Sequence, residues 1–166
     1  EKRGAKIYAE VLGYGLSCDA RHMTQPSKEG IIRCIEKAIK ESGISRDDVD
    51  YISAHGTGTP QNDKVECAAL RKVFGARYRE IPCSSIKSSL GHTMGAASAI
   101  EAISCCLAIR DKIAPPTINY ETPDEKCDID CVSNKAKKKN IKIALNNSCA
   151  FGGNNASLIF QKCIIE

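Results

Sequence analysis

Three polar, glycine-containing stretches gather the side chains suited to chemistry on a small substrate. They are His55-Gly56-Thr57-Gly58-Thr59-Pro60, the run from Lys87 to His92, and the run from Asn147 to Asn155. Two imidazoles and an ammonium form a good set for developing negative charge, because their N–H donors can be aimed at an oxyanion. They form a poor metal set, with no third His beside them and no carboxylate-rich shell. The GTGT string lacks the spacing of a phosphate loop and has no Lys before Ser or Thr. It is not a dinucleotide fingerprint either, since it reads GTGTPQ rather than GxGxxG. A nucleophile is harder to place. There is no GxSxG elbow, and the thiols nearest these loops are Cys83, in an expected strand, and Cys149, in an expected hairpin loop.

The elements that must position these groups follow from periodicity. Ile81 to Arg110 begins as a short strand, turns through Lys87, Gly91 and His92, and continues as a long helix. That helix is rich in small residues (Gly95, Ala96, Ala97, Ala99, Ala102) and carries Ile100, Ile103, Leu107 and Ile109. Little polar surface remains, which predicts a helix buried at the centre of a fold. Lys87 and His92 then precede its N-terminus, where free N–H groups and the dipole favour negative charge. Two readings stand for that turn, an anion-handling site or an ordinary polar surface turn.

Upstream, Lys6 to Ser17 predicts a strand bent at Gly13 and Gly15. His22, in the polar loop Cys18 to Pro26, reads as a solvated residue. Ser27 predicts an N-cap for a helix that Gly43 ends. Val49 to Ala54 predicts a strand, and Asp63 with Glu66 a capping-box variant opening a helix over Lys64 to Phe74. Pro115 and Pro116 stop the long helix. Thr117 to Tyr120 reads as extended and Asp128 to Val132 as a short strand. The basic run Lys135 to Lys139 reads as a solvated loop rather than a docking patch. Ile141 to Asn146 and Ala156 to Lys162 predict a terminal hairpin, with Gly152 and Gly153 suited to positive φ. Strands alternating with helices predict an α/β domain with a mixed sheet, and loops at strand carboxyl ends converge on one crevice in such folds.

Composition sets bounds. The 166 residues match one domain; 42% hydrophobic and 27% charged residues predict a packed core. A net charge of +4 with 5% aromatics does not argue for nucleic acid, and no apolar run reaches the length of a membrane span. The ten cysteines include no CxxC pair, and no His neighbours Cys127 and Cys131, so zinc is not expected. Free cysteines within apolar patterns predict a reducing, intracellular setting.

Three motifs, VDYISAHGTGTPQND, SSIKSSLGHTMGAASAIEA and NSCAFGGNNASLIF, occur in this order, with PPTINYETPDEKCDID between the last two. Together they resemble the C-terminal half of β-ketoacyl-[acyl-carrier-protein] synthases, most nearly the synthase II type of fatty-acid condensing enzyme, from about Ala5 to about Lys162. The resemblance implies a thiolase-like fold of two similar α/β halves in αβαβα layers, usually homodimeric. Residues 1–166 would supply the C-terminal domain, and the nucleophilic Cys would belong to the other half. The expectation is therefore a fragment that is inactive alone.

The implied reaction is a decarboxylative Claisen condensation between an acyl thioester and malonyl-acyl-carrier protein, with no cofactor and no metal. His55 and His92 resemble the catalytic histidines that hold the malonyl thioester oxygen, and Lys87 the active-site lysine. Glu101 is similar to the ion-pair partner of that lysine. Thr57 and Thr59 match threonines that bind the carrier's pantetheine arm, and Phe151 matches a gate to the acyl pocket. The family implies a cytoplasmic location, or an organellar stroma. Cys149, Ala150 and Asn154 depart from the more usual Phe, Gly and Thr, which bears on chain-length preference and gating. The alternatives are a ketosynthase of a polyketide pathway, a non-catalytic chain-length-factor-like partner, and a free-standing carrier-binding module. Intact His55, Lys87 and His92 weigh against the non-catalytic partner.

Overall fold

The computed structural model describes residues 2–163. In chain order the elements are β1 (Glu10–Cys18), α1 (Lys28–Glu41), β2 (Tyr51–Ser53), α2 (Pro60–Phe74), β3 (Cys83–Ser84), α3 (Lys87–Leu90), α4 (Ala97–Asp111), β4 (Ile113–Ala114), β5 (Lys137–Lys138), β6 (Ile143–Ala150) and β7 (Asn154–Gln161). Five strands form one mixed sheet in the order β1-β7-β6-β2-β3. The β1–β7 and β6–β7 pairs are antiparallel, whereas β2 runs parallel to both β6 and β3.

Consecutive residues of the central strands divide between two cores, as a pleat requires. Ile52, Leu145 and Ile159 face α1 and α2, where they pack with Ile31, Ile35, Leu70 and Val73. Tyr51, Ala144 and Phe160 face α4, where they pack with Cys105, Ala108 and Ile109. The sheet is thus covered by two helices on one face and by α4 on the other. Strands buried on both faces read as continuous apolar runs, which is why VDYISA and IKIAL stand out in the sequence.

The predicted α1 is confirmed: Ser27 is its N-cap and accepts from the Gly30 amide at 3.4 Å. It lies close on β1 because Gly15 has no side chain; a Cβ there would sit 2.0 Å from the Cys34 carbonyl oxygen. The remaining face of β1 carries Tyr14 and Leu16, both more than half exposed.

Several boundaries differ from the reading of the sequence. The capping box at Asp63 and Glu66 is not formed. Helix α2 begins three residues earlier than Asp63, with Pro60 in its first turn and Thr59 as N-cap, an arrangement proline favours. The small-residue helix starts only at Ala97, because Met94–Ala96 form a 3-10 turn, and Lys87 opens a short helix of its own. Helix α4 is buried on one face only, since Ile103 is 59% exposed. The strand expected from Lys6 begins at Glu10, and Asp128 to Val132 contributes a single bridge, Cys83 to Cys131, rather than a strand. Lys137–Lys138, expected as loop, pair with β4.

Candidate active site

The parallel strands β2, β3 and β6 deliver their carboxyl ends side by side, and the three polar stretches leave from there. His55 follows β2, Lys87 follows β3, and the end of β6 leads into the glycine turn Phe151–Gly153. The convergence expected of an α/β sheet is present.

One residue ties the first and third of these stretches together, and the sequence reading gave it a different role, in a helix cap. Glu66, nearly inaccessible on α2, accepts from the main-chain amides of His55 and Gly56, each at 2.8 Å. It also accepts from the side-chain amides of Asn147 at 2.7 Å and Asn62 at 3.3 Å. Ser157 in turn donates to the Asn147 oxygen at 3.0 Å. A signal was available. Asn62 and Glu66 lie at i, i+4 on the stripe that also carries Leu70 and Val73, so both had to be buried.

Lys87 lies behind His55. Its ammonium donates to the His55 carbonyl oxygen at 2.5 Å and to the Glu101 carboxylate on α4. Both side chains of this ion pair are buried. Burial raises the Glu101 pKa, and the hydrogen bond and charge of Lys87 oppose that rise. Ser148 donates to the second carboxylate oxygen at 3.4 Å.

The two imidazoles meet edge to face, their centroids 5.6 Å apart with an interplanar angle of 82°. His55 is 8% exposed, and its pKa is lowered to about 3, first by burial and then by the charge of Lys87 and by His92. It is therefore neutral at physiological pH. His92 is exposed, and its Nδ1 accepts from the Met94 amide at 3.1 Å. That bond leaves the proton on Nε2 in the neutral ring, so the free nitrogen is a donor.

Both rings line a cavity of about 620 Å³ together with Thr57, Thr59, Cys149 and Phe151. The Thr57 and Thr59 hydroxyls are 3.0 Å apart, and Thr59 Oγ1 also caps α2 by accepting from the Asn62 amide at 3.3 Å. Phe151 stands out from the turn, 63% exposed. Gly153 holds φ at +79°, and a Cβ there would lie 2.6 Å from Asp19 Cβ. Asp19 binds this turn to the 19–26 loop: its amide donates to the Gly153 carbonyl at 2.8 Å, and the Gly152 amide donates to the Met23 carbonyl at 2.9 Å. His22 is exposed as read, but it also lines the cavity. Lys87 does not line it. With Thr57 and His92, Lys87 borders a second cavity of about 450 Å³.

Neither tempting thiol has the character of a nucleophile. Burial raises the pKa of Cys83 and of Cys149 well above the usual thiol value, so both are held protonated. The site as a whole offers imidazole N–H donors over a cavity and a buried cation behind them, suited to stabilising an oxyanion.

Residues 8–121 match the family described as beta-ketoacyl synthase, C-terminal domain. A 3-oxoacyl-[acyl-carrier-protein] synthase 2 of Rhizobium meliloti (strain 1021) is 52% identical over 162 residues, 96% of this chain and 38% of that protein. Among solved structures, the ishigamide ketosynthase/chain length factor superposes with a TM-score of 0.94 at 50% identity, covering 98% of this chain and 40% of that one. A type II PKS acyl-carrier protein in complex with its ketosynthase gives 0.94 at 42% identity, with the same coverage. The chain thus spans about two fifths of the length of the relatives it matches. The order of its three motifs, the mixed sheet that assembles them and these matches lead to one conclusion: the chain belongs to the β-ketoacyl synthase family.

Proposed function

We propose that residues 1–166 form the C-terminal domain of a fatty-acid chain-elongating condensing enzyme. The reaction joins malonyl-acyl-carrier protein to an acyl thioester and gives 3-oxoacyl-acyl-carrier protein. The acyl group is carried by a cysteine outside this chain, in keeping with the protonated state of Cys83 and Cys149. The malonyl thioester loses carbon dioxide, and the electron pair of the broken C–C bond delocalises onto the thioester oxygen. His55 and His92 donate to that oxygen. The nucleophilic carbon then attacks the acyl thioester carbonyl, a C–C bond forms, and the cysteine thiolate leaves.

The observation that carries this reading is the edge-to-face pair of imidazoles lining one cavity, with the His92 tautomer set by Met94. Lys87 and Glu101 position the pair. Thr57 and Thr59 receive the polar arm of the carrier, and Phe151 gates the acyl side. The partners are acyl- and malonyl-loaded carrier protein and a second copy of the full-length protein. No cofactor is required, because the carboxylate of malonate supplies the driving force.

The deciding assay supplies acyl- and malonyl-carrier protein to the full-length protein and to this chain alone, and follows the 3-oxoacyl product. Product is expected from the former only. Turnover by the 166 residues alone would return the nucleophile to Cys149 or Cys83. A second reading, the ketosynthase of a polyketide pathway, is favoured by the 42% identity to a ketosynthase solved with a type II PKS carrier. Product chain length and the number of successive condensations distinguish the two.

A further inference from the structure

The basic run near Lys135 plays no part in the site, and the fold gathers it with other lysines at the opposite end. Lys138 on β5 pairs with Ile113 on β4. The Lys139 amide donates to the Lys112 carbonyl at 3.0 Å, and the Lys162 amide donates to the Lys142 carbonyl at 2.8 Å. Three segments distant in sequence thereby bring Lys112, Lys138, Lys139, Lys142 and Lys162 to one edge. All are exposed except Lys139, which is half-buried.

None of these five forms an ion pair among the described residues. Three carboxylates nearby are engaged by other groups, and Glu10, across from Gln161, is exposed without an ion pair among the described residues. Asp130 pairs with Lys137 at 2.7 Å and Asp111 with Arg110 at 2.6 Å. Asp50 accepts from the main-chain amides of Lys142 at 2.8 Å and Ile143 at 3.1 Å. Lys112 alone has a structural reason for its charge, since it caps the carboxyl end of α4, where a cation is favoured. The side chains of the other four make no ion pair among the described residues, and like charges on one edge add a positive field there.

The edge is remote from the imidazoles. Helix α4 separates Lys112 from the His92 loop by 15 residues, about 22 Å of helix. Strand β6 separates Lys142 from the cavity wall at Ala150 by 8 residues, about 26 Å of strand. A carrier protein docked here would have its thioester at the wrong end of the domain.

We propose that this lysine edge docks the protein on an anionic lipid-bilayer surface. All five cations are lysine, a hydrated point charge suited to the diffuse field of headgroups. Specific pairing with protein carboxylates favours the bidentate fork of arginine. Ile113, 38% exposed beside Lys138, offers an apolar side chain to the interface. Docked this way, the cavity mouth faces away from the membrane and stays open to soluble carriers.

The test sediments the full-length protein with vesicles of pure phosphatidylcholine and with vesicles containing roughly a third phosphatidylglycerol, at low and at near-physiological salt. Binding is expected to the anionic vesicles only, and weaker as salt rises. The triple variant Lys138→Glu, Lys139→Glu, Lys142→Glu should lose about 10²-fold or more in affinity, and the matching Gln variant somewhat less. Circular dichroism and melting establish that both variants are folded, and the Gln variant serves alone if the Glu variant is not. Equal binding to both vesicle types, no binding to anionic vesicles at low salt, or undiminished binding by the folded variants would overturn the proposal. Retention on polyglutamate resin without vesicle binding would also overturn it, in favour of an acidic protein partner.

Discussion

The Lys87 ammonium donates to the main-chain carbonyl of His55 at 2.5 Å, and so holds the backbone of that residue rather than a nitrogen of its ring. The same ammonium neutralises Glu101. Its charge also bears on the imidazole, lowering the His55 pKa after burial does.

Replacing Lys87 with Met therefore removes a cation and leaves Glu101 buried and unpaired. Such a loss costs about 3–5 kcal/mol, reduced here because Glu101 already has a raised pKa and can take up a proton. The melting temperature of the variant should fall, and its deficit relative to wild type should narrow as pH is lowered. A deficit that is the same at every pH would show that Glu101 is paired elsewhere.

Replacing either His55 or His92 with Ala removes one oxyanion donor, worth about 10²–10³ in rate. In the full-length protein the loss should fall on carbon dioxide release from malonyl-carrier protein, while acyl loading survives better. The double variant should be little slower than the slower single variant, because groups acting as a unit are non-additive. Radiolabelled carbon dioxide release and acyl loading, measured separately, give both quantities. Release at the wild-type rate in both single variants would refute the oxyanion assignment.

The buried ring of His55 makes a pH prediction with a definite sign. In the unfolded chain it binds a proton below its ordinary value of 6.5, whereas in the fold it does so only near about 3. The unfolded state therefore binds more protons across that window, and stability falls as pH drops from 6.5 toward 3. Above 6.5 the contribution is intact, and it amounts to an order of a few kcal/mol. Denaturant midpoints should drop more steeply with acid for the wild-type chain than for His55→Gln. Parallel curves would mean that His55 protonates freely in the fold.

The exposed apolar side chains Val11, Tyr14, Leu16 and Ile103 make the chain alone prone to associate. Concentration-dependent sedimentation and binding of a hydrophobic dye are expected. Leu16→Lys together with Ile103→Lys should reduce both. A clean monomer that binds no dye would contradict this.

The sheet, α1 and the terminal hairpin were legible because each repeats an apolar period over many residues. His55 and His92 were legible by residue type beside glycine and at strand ends. Glu66 was legible only in part: its place on the stripe of Leu70 and Val73 marks it for burial, whereas its partners, the His55 and Gly56 amides, come from a distant strand end. Helix α4 looked fully buried because its sequence is apolar all round, yet Ile103 faces outward. Periodicity reports which faces are apolar, not whether this chain supplies the surface that covers them. The lysine edge was illegible for a topological reason, since Lys112 and Lys162 join the run only through sheet pairing and main-chain bonds.

The bonds from Glu66 also divide the site by timescale. The amides of His55 and Gly56 are both fixed to one inaccessible carboxylate on a helix of 15 residues. Their hydrogens can exchange with deuterium only when that helix and its neighbours open. Among the described residues, the Met94 amide is held by the exposed His92 ring alone. Its hydrogen should exchange orders of magnitude sooner, while the domain stays folded. One imidazole follows a backbone that opens only with the helix behind it, and its partner belongs to an exposed loop.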